Sequence, residues 1–215
     1  MQKITSLFDY FKKYEQSVKD PEKFWAEIAD TFIWKKKWDK VLDWDFDSVD
    51  IKWFKNAKLN ITENILEKNL KDRPDKTAII WEPNDPTEPS IHLTYKELYE
   101  ETCKFSNALR EKGIKKGDRV IIYMPMVPEA AIAMLACARV GAVHSVVFAG
   151  FSSTSLADRI NDCQAKMVLT SDGNFRGNKT IPVKPVVDEA LEKCSTIESV
   201  IVLKRTKQNV NMTSG

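Results

Sequence analysis

The sequence predicts an α/β fold, a mostly parallel sheet flanked by helices. From about residue 60 onward, short apolar segments alternate with segments of helical periodicity, which is typical of βαβ units and parallel strands. The apolar segments are continuous runs of Val, Ile and Leu rather than alternating patterns, as expected where helices cover both faces of a sheet. Residues 1–59 differ, because they carry five of the six tryptophans and predict helices and irregular links. We therefore expect an N-terminal collar over residues 1–59 and the first α/β portion of a larger domain over residues 60–215.

The N-terminal collar is predicted to begin with two helices. Leu7, Tyr10 and Phe11 fall at helical spacing, and Pro21 suits the first turn of a second helix, where its missing N–H needs no partner. The concentration of aromatic side chains in this segment predicts that it is anchored on a larger body and wraps around it.

The first elements after residue 60 are predicted to be a helix, two strands and another helix. Apolar residues at helical spacing place the first helix over residues 61–70, and β-branched runs place strands at 77–81 and 91–93. Thr94 and Glu97 form the Thr-x-x-Glu pattern of a capping box, so the second helix is expected to begin there.

The same alternation continues to the end of the chain. The predicted strands are 118–124, 143–148, 167–170 and 200–203, and the predicted helices between them are 128–138, 153–162 and 186–192. Pro128 suits a helix start and Gly141 a helix end. The chain stops just after a predicted strand, and we expect it to be a truncated part of a longer protein.

The first candidate ligand site follows a predicted strand, where ligands of open parallel sheets bind. It consists of Phe148, Ala149 and Gly150. The two small residues allow a ligand to approach the backbone closely. Ser152 is placed to cap the next helix, whose first amide groups favour anions. A tight turn between strand and helix explains the same residues without any ligand.

The second candidate site follows the strand that ends near Thr170. Gly173 and Gly177 permit sharp turns, and Arg176 and Lys179 bring positive charge. Arginine clamps a phosphate with two hydrogen bonds and lysine adds a point charge, so the segment predicts a site for a phosphorylated nucleotide. An exposed basic turn without a ligand is the alternative.

Composition argues against several other functions. The net charge is +2 with 30% charged residues, which gives no reason to expect nucleic-acid or membrane binding. No secretion signal or membrane-spanning stretch is present, so a cytoplasmic location is expected. The four cysteines are widely separated and only two histidines accompany them, so no metal site is expected. His92 and His144 are interpreted as structural residues.

Residues 122–130, 133–139 and 141–148 resemble the AMP-forming acetyl-CoA synthetases of the adenylate-forming superfamily. Shorter stretches add to the resemblance, which extends from about residue 20 to residue 206: 51–54, 59–60, 77–82 and 202–206. The resemblance implies the large N-terminal domain of an adenylate-forming enzyme. It also implies a ligase that makes acetyl-adenylate from acetate and Mg-ATP, and then acetyl-CoA when the CoA thiol displaces AMP.

The resemblance also implies that this chain contributes the site for the nucleotide end of CoA. The implied residues are Phe148, Ala149, Gly150, Arg176, Gly177, Asn178 and Lys179. Ala149 stands where many members have glycine, which could crowd the adenine. Lys179 stands where many have arginine, which keeps the charge but loses the fork geometry.

The family's phosphate loop, acyl-pocket tryptophan, ribose-binding aspartate and catalytic lysine are expected later than residue 215. The closing Thr213-Ser214-Gly215 is interpreted as a chance likeness to that loop. We therefore expect no catalytic residue and no metal ligand within the chain, a Mg²⁺ site only in the full-length enzyme, and an inactive isolated fragment. A ligase for propionate or acetoacetate, and a non-catalytic CoA- or nucleotide-binding module, are the alternatives.

Overall fold

The computed structural model describes residues 4–213. The chain divides into two compact units, Met1–Asn64 and Ile65–Gly215. The predicted boundary between residues 59 and 60 stays a prediction. Among residues 4–213, no helix combines the length and apolarity needed to cross a bilayer.

The first unit contains two helices and a hairpin. Helix α1 spans Leu7–Lys19 and helix α2 spans Pro21–Ala29, with Pro21 in the first turn as predicted. Strands β1 (Lys40–Asp45) and β2 (Asp50–Lys55) pair antiparallel. The hairpin was not predicted, because charged residues interrupt each strand and obscure the period of two.

The second unit is built on a four-stranded sheet. Its strands are β5 (Arg119–Tyr123), β6 (Val143–Val146), β7 (Met167–Ser171) and β10 (Ser199–Leu203). They lie in the order β10-β7-β5-β6, and all neighbouring strands are parallel. The predicted α/β class with a mostly parallel sheet is confirmed.

Helices cover both faces of this sheet. Residues Ile121 and Tyr123 of β5 pack with one pair of helices, α6 (Ser153–Cys163) and α7 (Lys184–Leu191). The alternate residues of β5 pack with the other pair, α4 (Tyr95–Glu111) and α5 (Pro128–Val140). Since both faces of β5 are buried, its sequence is a continuous apolar run.

Local sequence signals set the ends of several helices. The Thr94–Glu97 capping box at the start of α4 is present, as predicted. Gly141 ends α5 with a φ of 85°, which favours glycine. The predicted helix at residues 61–70 is present, but it contains a π-helical turn, Glu63–Glu67, which continues into a short helix α3, Lys68–Asp72.

Two antiparallel hairpins complete the second unit. Strand β3 (Thr77–Trp81) pairs with β4 (Ile91–Thr94), and β8 (Gly173–Arg176) pairs with β9 (Lys179–Pro182). The second hairpin follows β7 directly. Strands β6 and β7 both pair with β5, so the segments that leave their carboxyl ends emerge from the same edge of the sheet.

Candidate functional site

The first predicted segment, Phe148–Gly150, follows strand β6. Phe148 is 69% exposed, and its ring packs edge-to-face against Phe151 with centroids 5.9 Å apart. A Cβ on Gly150 would lie 2.4 Å from Cε1 of Phe148. Ala149 packs against the core beneath helix α6. The glycine at position 150 therefore allows the Phe148 ring to lie over its backbone.

This turn is held in place by hydrogen bonds to the backbone of Phe151. The N–H of Phe151 donates to the carbonyl of Phe148 at 3.0 Å, and the hydroxyl of Tyr123 donates to the carbonyl of Phe151 at 2.7 Å. Burial raises the pKa of Tyr123, so this hydroxyl remains a donor at neutral pH. Ser152 caps helix α6 by accepting from the N–H of Ser155, as predicted.

Arg159 is a neighbour of this turn that sequence reasoning missed. Its guanidinium lies 4.9 Å from the ring centroid of Phe151 and donates to the backbone carbonyl and hydroxyl oxygens of Ser155. The signal in the sequence is a single cation in the helix that Ser152 caps, which is too common a pattern to single out.

The second predicted segment is a hairpin rather than the irregular turn that the sequence suggested. Strands β8 and β9 are each four residues long, so they show too little alternation to be recognised. Gly177 and Asn178 form the tip, and Gly177 has a φ of 56°, as two-residue hairpin turns favour. Gly173 has a different role: a Cβ there would lie 2.7 Å from the hydroxyl of Thr206.

The basic residues Arg176 and Lys179 are directly opposite each other across the hairpin. Paired residues of an antiparallel ladder project from the same face, with Cβ atoms about 4.5–5.5 Å apart. Both residues are exposed, and within residues 4–213 neither has an ion-pair partner. Two cations are therefore available to one anionic group.

The opposite face of the hairpin is packed rather than free. The ring of Phe175 lies 5.1 Å from the guanidinium of Arg205, which lies 4.9 Å from the ring of Trp81. A cavity of about 460 Å³ opens on this face. Its lining residues include Asn84, Phe175, Asn178 and Arg205 but neither member of the basic pair. The cavity and the basic pair are therefore separate features of the hairpin.

The base of the hairpin is fixed by Asp172, a second residue that sequence reasoning did not select. The side chain is 1% exposed, and its Oδ1 accepts hydrogen bonds from the backbone N–H groups of Gly173 (2.7 Å), Arg205 (2.8 Å) and Thr206 (2.9 Å). Burial acts to raise the pKa of Asp172, but these hydrogen bonds outweigh it and hold the pKa below its ordinary value. The carboxylate ties the exit of β7 to the chain that follows β10.

The two predicted segments leave the same sheet edge on either side of β5. In the described part of the chain, no hydrogen bond, ion pair or ring contact joins Phe148, Ala149 or Gly150 to Arg176–Lys179. Their assignment to one CoA site stays a prediction.

Three further titratable residues lie outside the two predicted segments. Burial lowers the pKa of His144 and raises that of the Cys137 thiol to about 12. His92 lies 3.0 Å from the hydroxyl of Ser90. Residues 4–213 contain no group of three or more His, Cys, Asp or Glu side chains that could hold a metal ion.

Comparison with known proteins places this architecture in a family. The model of the AMP-binding enzyme family matches residues 66–214. The chain belongs to this family. A second model, for the N-terminus of acetyl-coenzyme A synthetase, matches residues 10–65. The AMP-binding match covers the parallel sheet and both segments of the candidate site.

The relatives of this chain include curated acetyl-coenzyme A synthetases. That of Syntrophobacter fumaroxidans is 53% identical and that of Bdellovibrio bacteriovorus 50% identical, each over 207 residues. Both alignments cover 96% of this chain and 32% of the relative, so the chain spans about a third of the length of these proteins. The resemblance inferred from residues 122–148 is confirmed.

A solved structure agrees with this relationship. The acetoacetyl-CoA synthetase from Streptomyces lividans matches with a TM-score of 0.83 and 26% sequence identity. The match covers 92% of this chain and 30% of that protein. The fold described here therefore recurs within a much longer acyl-CoA synthetase.

Proposed function

We propose that this chain is the N-terminal part of an AMP-forming acetate–CoA ligase. In the first reaction, an acetate oxygen attacks the α-phosphorus of ATP and pyrophosphate leaves. In the second, the CoA sulfur attacks the acetyl carbonyl and AMP leaves. The identity of about 50% to acetyl-coenzyme A synthetases supports this proposal. Mg²⁺ is proposed to accompany ATP, and none of the residues described in this chain is assigned to it.

The contribution proposed for this chain is the site for the nucleotide end of CoA. Arg176 and Lys179 are exposed, lie on one face and have no ion-pair partner among residues 4–213, so they can bind the phosphates of CoA. The exposed Phe148 ring, with Ala149 and Gly150 behind it, offers an apolar surface for the adenine. The free basic pair is the structural observation that carries this part of the proposal.

A ligase for another short-chain acid, such as propionate or acetoacetate, is the second candidate. The structural likeness to an acetoacetyl-CoA synthetase favours this second candidate. The sequence identity to that protein is 26%, whereas the identity to an acetyl-coenzyme A synthetase is 53%, so acetate is preferred.

A cytoplasmic location is also part of the proposal. It is supported by four cysteines that are all free thiols in the structure.

The test is the activity of the full-length ligase that contains this chain. We expect acetate-dependent exchange of pyrophosphate into ATP without CoA, and release of AMP only when CoA is added. Acetate should give a higher kcat/KM than propionate or acetoacetate. Equal or higher values for either rival acid would favour the second candidate, and no exchange with any of the three acids would reject the ligase.

A further inference from the structure

The tip of the β8–β9 hairpin is held by a side chain from a distant loop. The side-chain amide of Asn84, which lies between β3 and β4, donates to the carbonyl of Gly177 at 2.9 Å. Its Oδ1 accepts from the N–H of Gly177 at 3.1 Å. The Gly177 carbonyl can only accept and the Gly177 N–H can only donate. The backbone of Gly177 therefore fixes which side of the Asn84 amide carries the oxygen and which the nitrogen.

This contact lies between the two basic residues. Gly177 follows Arg176 directly and precedes Lys179 by two residues. Among residues 4–213, Asn84 makes the only side-chain hydrogen bonds that reach the tip from outside the hairpin. The other anchors of the hairpin are at its base, through Asp172, and on its packed face, through Phe175.

The tip needs such an anchor for an electrostatic reason. Like charges directly opposite each other on an antiparallel ladder are destabilising, and Arg176 and Lys179 form such a pair. Their repulsion acts on the last pair of the hairpin, next to a glycine with a φ of 56°. Glycine permits many backbone conformations, so without an anchor the tip would adopt several orientations.

We propose that Asn84 is a positioning residue for CoA binding, which acts by holding the Gly177 peptide so that Arg176 and Lys179 project in one direction. The inference rests on the proposed function, since it assumes that the basic pair binds the phosphates of CoA. A fixed tip removes part of the ordering cost that CoA binding would otherwise meet. Asn84 itself does not touch the reacting atoms.

The first test is the kinetics of Asn84→Ala in the full-length ligase. Loss of the two hydrogen bonds should raise the KM for CoA by about threefold to tenfold. The kcat at saturating CoA and the acetate-dependent pyrophosphate exchange should not change. Ser90→Ala is the matched control, because Ser90 lies in the same loop and bonds only to His92 among the described residues; its KM for CoA should equal that of the wild type.

A double-mutant cycle distinguishes positioning from a general structural role. If Asn84 acts through the basic pair, Asn84→Ala should have little further effect on the KM for CoA once Arg176 and Lys179 are both alanine. Independent, additive effects would overturn the inference. An effect of the Arg176/Lys179 double variant without any effect of Asn84→Ala would also overturn it and leave the proposed function standing. No effect of the Arg176/Lys179 double variant would reject the CoA site itself.

A second measurement tests the contact without any activity. In the 215-residue chain, the Gly177 amide should exchange with solvent faster in Asn84→Ala than in the wild type. Asn84→Asp retains an acceptor for this amide, so it should keep more of the protection. Unchanged exchange of Gly177 in Asn84→Ala would show that the contact is absent in solution and overturn the inference.

Discussion

Asp172 ties the segment that leaves β7 to the segment that follows β10, so its replacement should have a large effect on stability. Its carboxylate accepts three backbone hydrogen bonds, from Gly173, Arg205 and Thr206. Asp172→Ala would leave these three N–H groups without their acceptor. Asp172→Asn would keep the shape and one acceptor oxygen but lose the negative charge. We expect both variants to be less stable, with alanine the more severe.

The size of the effect follows from the hydrogen bonds. A hydrogen bond to a charged group contributes about 1.5–3 kcal/mol net, but three bonds to one oxygen are not additive. Oδ2 of Asp172 is buried and has no hydrogen-bond partner in the described structure, which already lowers the net benefit of the carboxylate. We expect Asp172→Ala to lower the free energy of unfolding of this unit by about 3 kcal/mol and Asp172→Asn by about half as much.

The charge of Asp172 also gives a prediction for pH. The pKa of Asp172 in the folded chain lies below its ordinary value, because its backbone hydrogen bonds outweigh the opposing effect of burial. Its ionised form therefore stabilises the fold fully above the unfolded pKa of about 3.9. That contribution is lost as the pH falls toward the folded pKa. The stability difference between wild type and Asp172→Asn should therefore shrink as the pH falls below about 4.

Native-state hydrogen exchange of the buried amides of β5 and β7 measures the stability of this unit directly. Asp85→Ala is the control, since Asp85 is exposed and its side chain bonds only to Thr87 in the described structure. This variant should change stability by less than about 0.5 kcal/mol. A loss in Asp172→Ala no larger than in this control would refute the reasoning. Equal losses for alanine and asparagine would show that the retained oxygen contributes nothing.

Three further outcomes are expected. Arg176→Ala in the full-length ligase should raise the KM for CoA by roughly tenfold to a hundredfold and leave pyrophosphate exchange nearly normal. An unchanged KM for CoA in both this variant and the Arg176/Lys179 double variant would reject the proposed CoA site. Gly150→Ala should force the exposed Phe148 ring away from its present position. It should therefore raise the KM for CoA by about the same factor as Phe148→Ala does. A wild-type KM in both variants would exclude this turn from the site. The 215-residue chain alone should show only background pyrophosphate exchange, and exchange that depends on it would contradict the placement of the adenylation residues outside it.

The sequence alone determined those features that depend on neighbouring residues. The apolar run of β5, the capping box of Thr94 and Glu97, and the glycine that ends α5 each have a local cause. The alternation of the parallel strands with the helices that cover them, and hence the α/β class, follows from such local patterns. The basic residues Arg176 and Lys179 could be selected because their charges and the adjacent glycine stand close together in the chain.

The tertiary structure decided which residues serve these elements from a distance. Asn84 and Gly177 are 93 residues apart, and Asp172 accepts from the backbone of a turn 34 residues later. Neither side chain stands out in the sequence, because asparagine in a loop and aspartate after a strand are common. The same holds for the pairing of Arg176 with Lys179, since strands of four residues carry almost no periodic signal. The roles of Asn84 and Asp172 arise only when folding brings distant backbone donors and acceptors within hydrogen-bonding distance. For Asp172, which is buried, an unpaired group would also be costly.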